Sequence, residues 1–427
     1  MNSDGIIHNS EERLALLYHL SQTFNSSLDL SEVLNRVMDE VIAVTHAERG
    51  FVMLKQGDDR GGQLEFRVAR GLDQKTLEDP QFQISRSIVE RVAGDGKPIL
   101  TSDAQADERF NIRQSVMFLG LRSILCVPLN VKDRIIGVIY VDNRWQSGLF
   151  TQADLELLSA IASSAGIALE NARLYEVAIE KGRMERELQM ARKVQYSLLP
   201  HETPDIPGWN FAGRWKPARE VGGDYYDFIR MKAPYLGLVI ADVTDKGMPA
   251  ALFMASTRSI IRATMTEKTS PLEGITHANQ LLCAEANDNL FVTLFYAQLN
   301  VQTGELVYVN AGHNPPIFFS FQTVTGNHLS PLMYTGMQLG VELGTEYHQK
   351  TIHIDPGDFL VLYTDGVTES MDVNNQEYGM ERLQGVILDN KEKTPEGILS
   401  AILQDIESFT GGMPPSDDIT LVVGKRL

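Results

Sequence analysis

The stretch Val221-Gly222-Gly223-Asp224-Tyr225-Tyr226-Asp227-Phe228, followed by Leu238-Val239-Ile240-Ala241-Asp242-Val243-Thr244-Asp245-Lys246-Gly247, decides how the second half of the chain is read. The apolar run from Leu236 to Ala241 ends in a carboxylate and then in turn residues. That predicts a buried strand delivering Asp242 to the edge of a sheet. The pattern returns where Phe359-Leu360-Val361-Leu362-Tyr363-Thr364 runs into Asp365-Gly366. It appears inverted where Ser416-Asp417-Asp418 leads into Ile419-Thr420-Leu421-Val422-Val423. Acidic residues far apart in sequence therefore sit at strand ends or beside glycines. Carboxylates gathered without matching bases repel one another unless divalent cations lie between them. Magnesium and manganese take oxygen ligands of this kind. The expectation is a hydrolytic site built on two metal ions.

The rest of the composition agrees with an ordinary globular protein. A length of 427 residues predicts two or three domains, and 43% hydrophobic with 22% charged residues argues against long disorder. A formal net charge of -18 disfavours nonspecific binding to nucleic acid or to an anionic membrane. Cys126 and Cys283 are the only cysteines, so no disulfide framework is expected and a reducing cytoplasm fits. The opening Met1-Asn2-Ser3-Asp4 lacks the basic flank and apolar core of a signal peptide, and no apolar run is long enough for a transmembrane helix. The expected protein is soluble and cytoplasmic, with no nucleic-acid and no membrane partner.

In the first half, Leu14, Leu17, Leu20 and Phe24 share one helical face, and Asp29 or Ser31 caps a second helix carrying Val33, Leu34, Val37, Val41 and Ile42. Strands are predicted at Gly50 to Leu54 and Leu64 to Ala69 around the turn-rich Gly57 to Gly62, then a short helix from Ser85 to Ala93. Two more strands, Ser123 to Leu129 and Ile135 to Asp142, flank a turn at Lys132-Asp133, and Thr151 caps a long helix beginning at Gln152. This α+β unit resembles the GAF family of small-molecule-sensing domains. The residues that carry the likeness are Ala47-Glu48-Arg49-Gly50, Arg122-Ser123-Ile124-Leu125-Cys126-Val127-Pro128-Leu129 and Ile136-Gly137-Val138-Ile139-Tyr140-Val141-Asp142. The resemblance implies a pocket for a small-molecule ligand, or a module that serves only for dimerisation. Cys126 lies inside a strand pattern and reads as a buried apolar thiol.

The helix from Gln152 continues without proline to Leu199. Leu158, Ile161, Ala165, Ala168, Ala172, Tyr175 and Ile179 alternate by three and four, the pattern of a coiled-coil seam. A second set, Met184, Leu188, Ala191, Gln195 and Leu198, is out of phase with the first, and the slip falls at Gly182. The small seam residues predict close packing of two identical helices and a parallel homodimer. Expected domain limits are 1–175 for a sensor or dimerisation domain, 176–200 for a connecting helix and 201–427 for the catalytic domain.

Beyond Trp209, many consecutive strands with helices inserted in pairs predict two antiparallel sheets packed together and covered by helices. Here Met190 to Pro200, Val221 to Phe228, Ala241 to Ala251, Asn310-Ala311-Gly312-His313-Asn314-Pro315-Pro316, Leu362 to Glu369 and Asp417-Asp418-Ile419-Thr420-Leu421 resemble, in order, the motifs of SpoIIE-type phosphatases. These belong to the PPM, or protein phosphatase 2C, superfamily and act on regulators of sigma factors. The fold implied is an α-β-β-α sandwich holding two Mn2+ or Mg2+ ions. By the resemblance, Asp242 bridges both ions, the Val243 carbonyl joins one, and Asp224 binds that ion directly or through water. Asp365 and either Asp417 or Asp418 hold the other, with Asp417 preferred and Asp418 supporting the loop. Asp227 reads as a supporting or surface carboxylate. Arg219 is spaced like a phosphate-binding arginine, or else forms a surface ion pair. His313 is a candidate substrate contact, though in its sequence context it more often shapes a turn.

The activity implied is hydrolysis of phosphoserine or phosphothreonine on a partner regulatory protein resembling an anti-anti-sigma factor. The resemblance implies that two bound ions would supply a water ionised near neutral pH as the nucleophile toward phosphorus. A competing reading is a ligand-gated dimeric scaffold with an inactive phosphatase domain. Gly222-Gly223-Asp224 also resembles the start of a diguanylate cyclase signature, but Tyr225-Tyr226 departs from it.

Overall fold

The computed structural model of the chain describes residues 15–56, 63–71, 86–101, 122–267, 270–285, 290–322 and 328–427. The turn predicted at Gly57 to Gly62 and the start of the opening helix lie outside them. The chain divides into two compact units, Met1–Arg183 and Met184–Leu427. Among the described residues no helix is long and apolar enough to cross a membrane.

In the first unit, helix α1 (15–24) and α2 (Leu30–Thr45) precede strands β1 (Arg49–Lys55) and β2 (Leu64–Arg70). Helix α3 (Arg86–Asp95), β3 (Ile99–Thr101), β4 (Ser123–Val131), β5 (Arg134–Asn143) and the long α4 (Gln152–Leu198) follow. The Asp29 carboxylate accepts from the Glu32 N–H to start α2, and His46 ends it in the left-handed region at φ 52°. The sheet order is β2-β1-β5-β4-β3, antiparallel throughout. Leu125, Val127 and Leu129 pack with α2 and α4 on one face, while Ile124, Cys126 and Tyr140 pack with α3 on the other. Both faces are covered, which is why β4 reads as a continuous apolar run.

The predicted seam on α4 divides. Leu158, Ile161, Ala165, Ala168 and Ala172 are buried in the core of their own unit, whereas Tyr175 and Ile179 are exposed. The small residues serve contact with the sheet: a Cβ on Gly166 would stand 2.7 Å from the Asn130 carbonyl. Helix α4 runs through Gly182 without a break and stops before Pro200.

The second unit contains β6 (Trp209–Lys216), β7 (Tyr225–Arg230), β8 (Tyr235–Val243), α5 (Met248–Glu267), α6 (Pro271–Glu285), β9 (Val292–Asn300) and β10 (Glu305–Ala311). It continues with β11 (Ile317–Phe319), β12 (Leu329–Pro331), β13 (Lys350–His353), β14 (Phe359–Tyr363), α7 (Asp365–Thr368), α8 (Met380–Asp389), α9 (Pro395–Thr410) and β15 (Ile419–Arg426). Two five-stranded antiparallel sheets form, β13-β10-β9-β8-β7 and β12-β11-β14-β15-β6. Strand alternation assigns the layers. Leu238 and Ile240 of β8 meet Leu360 and Leu362 of β14 between the sheets, while Val239, Ala241 and Val243 face α5 and α6. Phe359, Val361 and Tyr363 face α8 and α9. This is an α-β-β-α sandwich. Leu252 lies on the exposed side of α5.

One buried ion pair in the first unit ties two of its motifs together. Arg49 Nε lies 2.7 Å from Asp142 Oδ1 and its Nη2 2.5 Å from Oδ2, with both side chains nearly inaccessible. Burial nonetheless pushes the Asp142 carboxyl above its ordinary range. Removing only the arginine strands a buried carboxylate, so Arg49→Ala is expected to cost about 3–5 kcal/mol. Urea denaturation of the full chain should show that loss in the transition of the first unit alone.

Candidate active site: an acidic pocket at one end of the sandwich

The antiparallel registers set which strand ends meet. Tyr225 at the start of β7 pairs with Ala241 near the end of β8, and Tyr363 at the end of β14 pairs with Leu421 near the start of β15. Asp224, Asp242, Thr364, Asp365, Asp417 and Asp418 stand at or just beyond these ends.

Asp224 lies at the centre and is almost wholly buried. Its Oδ2 accepts from Thr364 Oγ1 at 2.8 Å and from Thr420 Oγ1 at 2.6 Å, so a carboxylate entering one sheet is held by hydroxyls of the other. Asp418 fixes the neighbouring loop. Its Oδ1 accepts from Ala218 N–H at 2.8 Å, and its Oδ2 from Gly223 N–H at 2.7 Å and Asp224 N–H at 3.4 Å. Two glycines make room: a Cβ on Gly222 would stand 2.3 Å from Asp418 Oδ2, and one on Gly366 2.0 Å from the Asp418 carbonyl.

Above this floor a small pocket is lined by Arg219, Gly222, Gly223, Asp242, Asp245, Lys246, Asp417 and Asp418, among others. Burial and the charge of Asp365 raise the Asp242 carboxyl to about 7, with a hydrogen bond from Asp224 opposing the rise. Asp224 is raised by burial and by Asp242 and Asp418, and Asp365 by burial and Asp417. At the mouth, Lys246 Nζ lies 2.7 Å from Asp417 Oδ2 and 3.0 Å from the Ser416 carbonyl oxygen. Asp417 is thus the half-exposed carboxylate of its pair, whereas Asp418 spends its oxygens on backbone N–H groups.

The other expected site residues fall as follows. Val243 is buried, with its carbonyl oxygen 2.9 Å from where a Gly223 Cβ would stand. Arg219 is exposed and lines the pocket, and the Asp227 carboxylate is engaged instead by Arg262 Nε at 2.5 Å and Nη2 at 2.8 Å. His313 does not line the acidic pocket. It is fully buried, its Nδ1 lies 2.9 Å from Thr293 Oγ1, its backbone N–H donates to Asn310 Oδ1, and burial lowers its pKa to about 3. It shapes a turn as a neutral imidazole.

Sequence reasoning missed four participants: Thr364, Thr420, Lys246 and Gln195. A threonine inside the apolar run Ile419 to Val423 was a usable signal, because a buried hydroxyl requires a partner. Gln195 on α4 is buried, its Nε2 donating to the Gly222 carbonyl at 2.6 Å and its Oε1 accepting from the Gly222 N–H at 3.1 Å.

The chemistry of the donor set suits hard divalent cations. Several carboxylates raise one another's pKa, with Lys246 and Arg219 as the nearby positive charges. Among the described residues, no three His, Cys, Asp or Glu side chains converge closely enough to hold an ion as they stand.

Residues 232–427 match the family model described as stage II sporulation protein E (SpoIIE), and residues 29–169 match the GAF domain. The SpoIIE match begins beyond Asp224. The chain is 30% identical over 268 residues to protein IcfG of Synechocystis sp., a match covering 56% of this chain and 41% of that protein. It is 29% identical over 248 residues to phosphoserine phosphatase RsbU of Bacillus subtilis, covering 56% of this chain and 70% of that protein. Its fold is similar to the SiaA-PP2C domain of Pseudomonas aeruginosa, with TM-score 0.52 and 19% identity over 58% of this chain and 99% of that domain. With the sandwich and the ordered motifs, these matches make the chain similar to the GAF domain over residues 29–169 and to the SpoIIE family over residues 232–427.

Proposed function

We propose that this chain is a metal-dependent protein serine/threonine phosphatase that hydrolyses phosphoserine or phosphothreonine on a regulatory protein resembling an anti-anti-sigma factor. The observation that carries the reading is that Asp242, Asp417 and Asp418 line one pocket, with the charge of Asp365 acting on Asp242 and that of Asp242 on Asp224. The printed name of the Bacillus relative, a phosphoserine phosphatase, supports the substrate class.

Asp242, Asp365 and Asp417 are the carboxylates proposed to hold two Mn2+ or Mg2+ ions, with Asp224 and the Val243 carbonyl completing one position. When bound, such ions supply a nucleophilic water at neutral pH and screen the charge of the phosphoryl group. Thr364 and Thr420 hold Asp224 in place. Asp418 keeps the Gly222–Asp224 segment against the pocket through its backbone N–H bonds. Arg219, exposed at the rim, is the proposed contact for phosphate oxygens, for which its planar fork of donors is suited. The GAF domain, over residues 1–175, is the proposed sensor of a small molecule. Residues 176–200 relay its state to the catalytic residues 201–427. Exposed Tyr175, Val177, Ile179 and Met184 on α4 are the surface for a parallel homodimer, and the cytoplasm is the expected location.

Mn2+-dependent turnover of p-nitrophenyl phosphate by the full chain is the first test. Asp242→Asn is expected to lower it by at least about 100-fold. Arg219→Ala is expected to raise KM about tenfold with a smaller change in kcat. Absence of turnover in the parent chain would favour the scaffold reading. In the ion-free protein Asp242→Asn removes one of several repelling carboxylates, so calorimetry should show a Tm higher by about 2–4 °C. Comparing full-length protein with a chain beginning at Met184 tests the relay, and equal rates would argue against it.

A further inference from the structure

The last turns of α4 touch the phosphatase unit in an economical way. Between Arg173 and Leu198, Gln195 is the only buried residue. Leu199, four residues on, is the next buried side chain and packs into the core beneath α5. A carboxamide is expensive to bury unless both its donor and its acceptor are satisfied. Here both are satisfied by one residue, since Gln195 receives the Gly222 N–H and donates to the Gly222 carbonyl. Gly222 lines the acidic pocket, and its neighbour Gly223 is the residue whose N–H is held by Asp418. The segment before Asp224 is therefore clamped from two sides, by the helix through Gln195 and by the β15 approach through Asp418.

We propose that Gln195 is a positioning residue for the metal pocket: its two hydrogen bonds hold the backbone of Gly222–Asp224 in the arrangement that takes divalent cations. This deepens the phosphatase reading and rests on it. Replacing the Gln195 carboxamide would withdraw both hydrogen bonds together, because they come from one side chain. The Gly222 backbone would then be left buried without these partners, and the segment would have to move or admit water. The link is directional in one useful respect. Lys193, on the same turn, is exposed and does not line the pocket.

The test is Mn2+ titration calorimetry on the full-length chain, without substrate, for the parent, Gln195→Leu and Lys193→Ala. Leucine keeps approximate volume and helix propensity while deleting both hydrogen bonds. Gln195→Leu is expected to bind Mn2+ about tenfold more weakly, the scale of losing a partner that supports metal ligands, and Lys193→Ala to match the parent. A purely structural role would lower Tm while leaving the Mn2+ affinity unchanged, and that result would overturn the proposal. If Gln195→Leu gives no cooperative melt, Gln195→Glu decides. It retains the acceptor for the Gly222 N–H but not the donor, and should also bind Mn2+ more weakly than the parent; parent-like binding overturns the proposal. Failure of the parent to bind Mn2+ at all would instead remove the phosphatase reading and this inference with it.

Discussion

The second unit depends on a carboxylate placed where carboxylates are costly. Asp224 is buried at the seam between two sheets, and what makes its position tolerable is the pair of hydroxyls from Thr364 and Thr420. Each threonine comes from the sheet opposite the one that Asp224 enters. The three side chains therefore join the layers at one end of the sandwich, where apolar contact between Leu238, Ile240, Leu360 and Leu362 gives way to polar chemistry. Burial keeps the Asp224 carboxyl strongly raised despite those donors. Hydrogen bonding organises the group without fully offsetting its desolvation.

From that point the pocket follows from geometry and charge. Antiparallel pairing brings the end of β8 beside the start of β7, and the end of β14 beside the start of β15. The carboxylates at those ends can neither avoid one another nor all ionise freely. Asp418 offsets part of its share by accepting three backbone N–H groups, although burial still raises its carboxyl, and Asp417 pairs with Lys246. Asp242 and Asp365 retain theirs, which is the electrostatic character of a cation site. Such crowding leaves no room for a Cβ at Gly222 or Gly366, so both glycines are fixed by close approach.

The long helix illustrates how a periodic pattern can be read correctly as helix while part of it, Leu158 to Ala172, is covered by its own unit and not by a partner. Spacing by three and four specified α4 nearly to its last residue. Yet Leu158 through Ala172 pack against the sheet of their own unit, because a heptad-like stripe satisfies any apolar surface lying along a helix. Periodicity carries no label for what covers it. In the same way Gln195 counted as one more position in a repeat, although its carboxamide is engaged with the Gly222 backbone twenty-seven residues away in sequence.

The sequence by itself determined the layered α+β architecture of both halves, the extent of α4 and the placement of acidic residues at strand ends. These rest on local signals: apolar period, capping residues, and glycine or proline at turns. Only the tertiary structure decided that Asp418 serves the backbone while Asp417 faces the mouth, and that His313 is a buried turn residue. It alone revealed Thr364, Thr420 and Gln195 beside the pocket. Those distinctions depend on which polar atoms remain unpaired after two sheets and a helix have closed on one another, and that account is settled by contacts between distant residues.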